Sequence, residues 1–403
     1  MSGVDQNTKN PIAISELIEQ WSPYADDLLL HDPDGPGECV VRSGEIVTAG
    51  RSLESVVTRL GRWVDGVHDC ADRRNARVRL RPTERNRCVE IAQDVSTAVS
   101  GVAPNHVHFG TSVMYGEPVM YGTGEHPSPV PEVAAPPDQC WSPPVTVGVL
   151  DTGLDAHPWF ARRPWFEEVP ETLDADDDSG QDRQAGHGTF VSGLVLRRAP
   201  GVVLRSVPVL SSLGFTDDLR VADGLRTLRS TASKRGEAVD VVLLTSGCRT
   251  PDDVCPPIVR EEVAALGRSV LVASAGNHRS QRPFWPAALS EVVGVAASGP
   301  NGELAEFSNS GRWVDCAAPG VDVVSSYVRL APAVRDGAAR NGGVARGAVR
   351  GGAGEGRSYG YARWSGTSFA APQVAGEIAN SLHRGDEPAL ASKIASHSYP
   401  FEG

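Results

Sequence analysis

The sequence predicts an α/β fold in which helices cover both faces of a mainly parallel sheet, preceded by a small α+β domain. Strands rich in Val and Leu recur through the second part of the chain, and helical patterns lie between several of them. Continuous apolar strands that alternate with helices are typical of a parallel sheet buried on both faces. A proline-rich stretch separates this part from the N-terminal part, where shorter strands and helices alternate.

Composition restricts the possible partners. The chain has 403 residues, 40% of them hydrophobic and 22% charged, which is enough for two or three globular domains. Its net charge of −12 argues against nucleic acid and anionic membrane surfaces as main partners. The N-terminus shows no cationic region followed by an apolar one, and no long apolar run appears anywhere, so we expect a cytoplasmic location and no membrane partner. Nothing in the sequence indicates the oligomeric state.

The seven cysteines form an odd count without the spacing of metal ligands. Free thiols are therefore expected. Cys248 and Cys255 are the one pair close enough in sequence to suggest a local loop closure.

Residues 1–35 are expected to form an N-terminal extension, and residues 36–115 a small α+β domain with two helices on one sheet. Its predicted strands are 39–47, 76–80 and 106–113, and its predicted helices are 53–67 and 85–99. His106 and His108 fall on one face of the last strand. Two ligands without a third are weak support for a metal, so a structural role is favoured for both histidines.

Residues 116–144 contain eight prolines and are expected to form an extended linker with polyproline character.

Residues 145–403 carry the predicted parallel sheet. Its predicted strands are 145–150, 202–210, 239–245, 269–273 and 292–297, with helices at 218–234 and 258–266. In such sheets the ligand site lies at the C-terminal ends of the strands, and both Asp151 and Asn277 follow strands. A Gly/Ala/Arg-rich insertion at 331–358 is expected to be a surface loop before the strand that leads to Ser368.

Ser368 is the candidate nucleophile. Small residues precede it, an apolar run at helical spacing follows it, and Pro372 indicates a helix that begins near Ser368. A serine at this position lies among unpaired backbone N–H groups at the positive end of the helix dipole. A simple helix cap is the alternative for the motif taken alone.

A serine hydroxyl needs a base to remove its proton and an acid to orient that base. His187 lies between two glycines at the start of a predicted helix, and Asp151 ends a predicted strand. Asn277, which is a turn cap in the simplest interpretation, has an amide that is able to donate to an oxyanion together with the Ser368 N–H.

Asp151-Thr152-Gly153 and Asp178-Ser179-Gly180 also match the paired loops of aspartic proteases. The second copy follows no apolar strand, and the two lie too close in sequence for two symmetric lobes, so this alternative is rejected.

Four sequence blocks resemble the signature blocks of the subtilisin-like serine proteases, or subtilases. They are Asp151-Thr152-Gly153 with His157-Pro158, then Gly186 to Gly193, then Ser274 to Asn277, and finally Gly366 to Pro372. The resemblance implies a three-layer sandwich around a sheet of about seven strands. It also implies that Asp151 orients His187, that His187 is general base and then acid, that Ser368 is the nucleophile, and that Asn277 stabilises the oxyanion.

The resemblance further implies a peptide or protein substrate that pairs with exposed strand edges. The matching positions are Thr245, Ser246, Gly247, Ala273, Ser274, Ala275 and Gly276. No charged residue lies in these segments, so a neutral S1 pocket is expected, although Asp252 and Asp253 leave a preference for basic residues open. Residues 36–115 suit either an inhibitory pro-domain or a substrate-recruiting domain.

A non-catalytic peptide-binding or inhibitory scaffold with the same fold is the alternative function. All four key side chains are present, which favours the protease.

The stretch from Asp151 to Phe190 holds ten Asp or Glu against three Arg, so we expect a negative potential beside the cleft. Asp174, Asp176, Asp177 and Asp178 suggest calcium but lack the Gly and Glu positions of an EF-hand loop. A solvated loop is favoured, and no cofactor and no metal are predicted.

Overall fold

The computed structural model of the protein describes residues 27–69, 74–110, 127–331 and 356–401. Most of the predicted N-terminal extension, residues 116–126 of the linker and most of the Gly/Ala/Arg-rich insertion lie outside these ranges.

The first part of the chain forms an antiparallel sheet with two helices on one face. Its elements are β1 (Leu28–His31), β2 (Cys39–Ala49), α1 (Leu53–Leu60), β3 (Val64–Asp69), β4 (Asn75–Leu80), α2 (Cys88–Ser96) and β5 (Val102–Gly110). Val56 and Leu60 of α1 and Ile91 and Val95 of α2 are buried against strand residues such as Val78. This agrees with the predicted α+β arrangement.

One predicted helix is wrong in extent. The pattern predicted a helix over 53–67, but α1 ends at Leu60, where Gly61 has φ +50°. Glycine adopts this left-handed conformation without the cost that a Cβ imposes, so it ends the helix. The chain then returns as β3 and pairs with β4.

Strand β5 connects the two parts of the molecule. It pairs antiparallel with β2 in the N-terminal part, and also with β9 (Phe215–Asp217) and β11 (Ser246–Gly247), which belong to the second part. The three contacts make one continuous sheet of seven strands. The division at residues 115 and 145 stays a prediction from the sequence.

The described half of the linker is anchored to the second part of the chain. Residues Ser128–Val130 form β6, which pairs with β16 (Arg357–Trp364). Trp141 stacks on His383 with ring centroids 4.3 Å apart. Between these two points the guanidinium of Arg163 donates to the backbone carbonyls of Pro136, Pro137 and Gln139.

The second part forms the predicted three-layer sandwich. Besides β9, β11 and β16 it contains β7 (Thr146–Asp151), α3 (His187–Arg198), β8 (Val203–Pro208), α4 (Asp218–Arg235), β10 (Val241–Leu244), α5 (Pro257–Ala264), β12 (Val270–Ser274), β13 (Val292–Ser298), β14 (Cys316–Pro319), β15 (Val323–Leu330), α6 (Thr367–His383) and α7 (Pro388–Ser398). The central sheet is entirely parallel in the order β14-β13-β12-β10-β7-β8. It has six strands in the described residues where the family resemblance implied about seven.

Both faces of this sheet are covered, as the apolar strands predicted. Val149 and Leu243 face a core that includes Ile378 of α6. Their neighbours Leu150 and Leu244 face the opposite core beneath α4 and α5. The alternation follows from the two-residue period of side chains along a strand.

Among the described helices, none combines the length and the apolar character needed to cross a membrane.

Candidate active site

The sequence-predicted catalytic residues lie at element ends along one edge of the parallel sheet. Asp151 is the last residue of β7, His187 is the first residue of α3, and Ser368 is the second residue of α6. Asn277 lies just beyond the end of β12. The carboxyl ends of parallel strands meet at one edge, so the fold brings together residues that are far apart in sequence.

Asp151 and His187 form a buried hydrogen-bonded pair. His187 Nδ1 donates to Asp151 Oδ1 at 2.7 Å, and neither side chain is exposed. The Thr152 N–H donates to the same oxygen at 2.7 Å, and the Thr245 hydroxyl donates to Oδ2. These bonds fix the carboxylate, and the carboxylate in turn fixes the imidazole tautomer with its proton on Nδ1.

The two glycines around His187 each meet a local requirement. Gly186, which precedes α3, has φ +84°, in the left-handed region that a Cβ disfavours. A Cβ on Gly188 would lie 2.2 Å from the carbonyl oxygen of Gly153. The start of α3 therefore packs directly on the loop that carries Asp151, which explains why both motifs are rich in glycine.

Ser368 lies at the start of a helix, as the sequence predicted. Helix α6 begins at Thr367, and Pro372 lies one turn inside it. The Ser368 hydroxyl donates to the carbonyl of Thr245 at 3.3 Å. Its backbone N–H belongs to the first turn of α6, whose N–H groups have no acceptor within the helix itself.

The His187 ring is packed between aromatic side chains. Its centroid lies 5.4 Å from the Trp364 ring in an edge-on arrangement, and 5.3 Å from the Phe369 ring. Its Nε2 atom is buried and accepts no hydrogen bond from the described residues. This nitrogen is the atom that a general base must present to a serine hydroxyl.

Asn277 is held by its carbonyl oxygen. Oδ1 accepts hydrogen bonds from the Thr367 N–H at 3.0 Å and from the Thr367 hydroxyl at 2.9 Å. The Gly276 N–H donates to the same hydroxyl at 3.1 Å. The carboxamide is thereby fixed with its oxygen toward α6, an orientation that leaves the Nδ2 donors on its other side.

The predicted substrate-binding segments flank these residues. Ala273 and Ser274 are the last two residues of β12. The Ala275 N–H donates to the Val295 carbonyl, and Gly276 follows. Thr245 contacts both Asp151 and Ser368, and Ser246 and Gly247 form β11. The edge of β11 is already paired, with Ser246 opposite Gly110 and Gly247 opposite Phe109 of β5. The N-terminal part therefore occupies the strand edge at which a peptide was expected.

Glu171 is a buried neighbour of the Asp151–His187 pair that sequence reasoning missed. It shares a short hydrogen bond with the Thr152 hydroxyl and accepts the Thr189 N–H at 2.8 Å. Burial, with the nearby charge of Asp155, raises the pKa of Glu171 to about 7. It lies in the acidic stretch, where nothing in a single sequence separates a buried carboxylate from solvated ones.

The acidic stretch is less exposed than its composition suggests. Asp151, Asp155, Glu171 and Asp182 are buried, and Arg357 forms an ion pair with Asp155 at 2.7 Å. Six of the ten carboxylates remain partly or fully exposed, including Asp174, Asp176, Asp177 and Asp178.

In the acidic loop, carboxylates bind backbone N–H groups. Asp174 accepts the N–H groups of Asp178 and Ser179, and Asp182 accepts that of Ala175. The carboxylates of Asp174, Asp176 and Asp182 also lie within 4.8 Å of one another. The hydrogen bonds account for the loop conformation, and calcium binding stays untested.

The loop after β11 holds the two cysteines and the two aspartates that the sequence singled out, and its thiols are free, as expected for the cysteines of this chain. Cys248 and Cys255 are both buried free thiols, so no disulfide closes this loop. Asp253 pairs with Arg282 at 2.9 Å, which neutralises one of the two charges considered for a basic substrate preference.

Comparison with known proteins agrees with the sequence blocks. A model of the subtilase family matches residues 143–391. Subtilisin Savinase of Lederbergia lenta is 31% identical over 245 residues, which cover 58% of this chain and 75% of that protein. An alkaline protease of Alkalihalobacillus alcalophilus is also 31% identical over 245 residues, but the match covers only 53% of its length.

Two further matches cover more of this chain. An intracellular serine protease of Paenibacillus polymyxa is 28% identical over 286 residues, or 64% of this chain and 74% of that protein. The crystal structure of fervidolysin from Fervidobacterium pennivorans, described as a keratinolytic enzyme related to subtilisin, superposes with a TM-score of 0.54 at 21% identity. That superposition covers 88% of this chain and 57% of the fervidolysin chain, and it supports the fold alone. The family match spans more than half of the sequence and confirms the resemblance read from the four blocks: this chain belongs to the subtilase family of serine proteases.

Proposed function

We propose that the protein is a serine endopeptidase in which Ser368 attacks the scissile carbonyl and forms an acyl-enzyme. The observation that carries the proposal is the buried 2.7 Å hydrogen bond from His187 Nδ1 to Asp151, which leaves Nε2 as the basic nitrogen. The hydroxyl that it would serve lies at the start of α6 and now donates to Thr245.

The reaction follows from these groups. His187 Nε2 takes the Ser368 proton as Oγ bonds to the carbonyl carbon, and Asp151 stabilises the imidazolium that results. The Ser368 N–H and the Asn277 amide donate to the oxyanion of the tetrahedral intermediate. His187 then gives its proton to the leaving amine as the C–N bond breaks. A water molecule, deprotonated by the same nitrogen, attacks the ester carbonyl, and His187 returns the proton to Ser368 Oγ as the bond from the acyl carbon to Oγ breaks.

A fluorophosphonate probe tests the assignment. We expect labelling of the wild type at Ser368, no labelling of Ser368→Ala, and slower labelling of Asn277→Ala. Unchanged labelling of Ser368→Ala would disprove the assignment of the nucleophile. A wild type that stays unlabelled under all conditions would favour the non-catalytic scaffold.

We also propose that the N-terminal part inhibits the protease, since β5 pairs with the β11 edge that a peptide substrate would use. Phe109 is buried with Val40, Val107 and Phe215 at this junction. Phe109→Ala should weaken the junction and raise kcat/KM for a peptide, whereas Val67→Ala, at an exposed position on β3, should not. Equal kcat/KM values in both variants and the wild type would favour a recruiting domain. A cytoplasmic location stays a prediction from the sequence.

A further inference from the structure

The fold completes a cluster that the sequence left incomplete. His106 and His108 of β5 both bond to Asp218, the first residue of α4, and Cys248, which directly follows β11, lies near His108 and Asp218. We call these four residues the interdomain cluster. Their exposed fractions are 2%, 0%, 0% and 0%, so water has almost no access to them.

One carboxylate holds both histidines. Asp218 Oδ1 lies 2.7 Å from His108 Nε2, and Oδ2 lies 2.8 Å from His106 Nδ1. The His106 backbone N–H donates to Oδ2 at 2.9 Å. Cys248 Sγ lies within 4.8 Å of ligand atoms of both His108 and Asp218.

We propose that His108, Asp218 and Cys248 bind a divalent transition metal, with Zn²⁺ as the best match, at the junction of the two parts of the chain. Imidazole nitrogen, thiolate sulfur and carboxylate oxygen are the three ligand types that proteins use for zinc. Bonds of about 2.0–2.3 Å in a tetrahedral arrangement separate the ligand atoms by about 3.4–3.6 Å. The histidine and the carboxylate would therefore move apart by less than about 1 Å to admit the ion.

Charge balance favours this ligand set in a buried place. One carboxylate and one thiolate together neutralise one divalent ion, so the occupied site carries no net charge. An uncompensated charge at such a depth costs several kcal/mol or more. Soft sulfur and imidazole ligands also disfavour calcium and magnesium, which take oxygen ligands.

His106 is a positioning residue in this arrangement. Its ring and its backbone N–H both hold Oδ2, which leaves Oδ1 turned toward His108. Such outer-shell bonds orient a ligating carboxylate, and their loss lowers metal affinity by about 10–100-fold.

The proposed ion would fasten the strand that covers the cleft. His108 lies two residues before Gly110, which pairs with Ser246, and Cys248 lies directly after Gly247, which pairs with Phe109. A bond from each strand to one ion stabilises the β5–β11 pairing. Under the proposed inhibitory role of β5, metal removal would then release inhibition.

Metal content is measured first on the Ser368→Ala protein, which cannot cleave itself. We expect one zinc per full-length chain by mass spectrometry, and its loss in Cys248→Ser and in His108→Gln. Cys255→Ala is the matched control, because it removes another buried thiol of the same loop and should keep the zinc. His106→Gln should bind zinc about 10–100-fold more weakly.

Cobalt reports the ligand type directly, because the absorption of the protein with all its cysteines shows whether a thiolate binds the ion. Co²⁺ added to the metal-free protein should produce a thiolate-to-cobalt charge-transfer absorption, which Cys248→Ser should lack and Cys255→Ala should keep. Protein that takes up neither zinc nor cobalt at micromolar concentrations, or uptake undiminished in Cys248→Ser, would overturn the site.

The effect on activity is tested separately. A chelator should raise kcat/KM of the wild type for a small peptide. It should leave kcat/KM of Cys248→Ser unchanged, because that variant holds no zinc to remove. Zinc binding without a chelator effect would refute the link to inhibition but keep the site. Failure of the wild type to react with a fluorophosphonate would refute the proposed protease, while the zinc measurement would stand.

Discussion

Two buried carboxylates in this molecule form nearly the same bonds and have different surroundings. Asp151 accepts a hydrogen bond from His187 at 2.7 Å, and Asp218 bonds to His108 at 2.7 Å and to His106 at 2.8 Å. A short bond from a histidine to a carboxylate therefore does not define a catalytic site. The surroundings differ: the Asp151 pair lies near the helix start that carries Ser368, whereas Asp218 belongs to the interdomain cluster with the thiol of Cys248.

The largest expected difference between the two is in turnover. Asp151→Asn should lower kcat by about 10⁴-fold, because the imidazole loses the acceptor that fixes its tautomer. Asp218→Asn should cause no such loss, since the hydrogen bonds described for the Asp218 side chain go to His106 and His108 and not to the proposed catalytic residues. Peptide hydrolysis with a chromogenic substrate measures both. A comparable fall in kcat for the two variants would mean that the clusters are not separate.

The oxyanion contribution is the next largest. Asn277→Ala should lower kcat by about 10²–10³-fold with little change in KM, a range taken from a member of this family. Thr367, which holds the Asn277 carbonyl oxygen, gives a graded version of the test: Thr367→Val keeps the backbone donor and should cause a smaller loss. Steady-state kinetics separate kcat from KM. A rise in KM alone would place Asn277 in substrate binding instead.

Glu171 extends the comparison to a buried carboxylate that bonds to Thr152 and Thr189 and, among the described residues, to no histidine. Its pKa is raised to about 7 by burial, above its ordinary value of 4.5. Its contribution to stability is therefore fully present below pH 4.5 and is lost as the pH rises to about 7. Urea unfolding in the Ser368→Ala background should show a smaller loss over this range for Glu171→Gln, by at most about 3 kcal/mol.

Glutamine at position 171 keeps an acceptor for the Thr189 N–H and so serves as its own control for packing. Identical pH profiles for the two proteins would mean that Glu171 is ionised in the fold without cost.

The smallest expected effect concerns the acidic loop. For Lys- and Arg-rich peptides, kcat/KM should fall a few-fold as salt shortens the Debye length from about 30 Å at 0.01 M to about 10 Å at 0.1 M. Changing Asp174, Asp176, Asp177 and Asp178 to Asn should flatten this dependence and leave kcat intact. The control is Glu303→Gln with Glu306→Gln, which removes negative charge outside this loop. A loss of thermal stability on chelation that the fourfold variant reproduces would instead indicate bound calcium.

The sequence predicted the parts of the fold and site that depend on local pattern. The strand before Asp151 and the helices beginning at His187 and Thr367 have clear apolar periods and glycine or proline signals, and all three form. The pairing of β5 with β11 had no such signal, because the two segments are separated by more than a hundred residues and β11 has only two. For the same reason His106 and His108 showed two ligands in the sequence, while Asp218 and Cys248 joined them only through the fold.

The contacts of residues 128–141 bear on where the chain would be cut if the enzyme cleaves its own linker. The proline-rich composition of residues 116–144 predicts an extended segment that is open to self-cleavage. From residue 128 onward, however, the chain pairs with β16, its carbonyls accept hydrogen bonds from Arg163, and Trp141 stacks on His383. For a cut after residue 127, the segment would have to detach from these contacts before its peptide bond could enter an active site. A cut before residue 127 would leave these contacts intact, and the new amino-terminal segment would then include β6, which is already paired with β16, the strand that leads to Ser368.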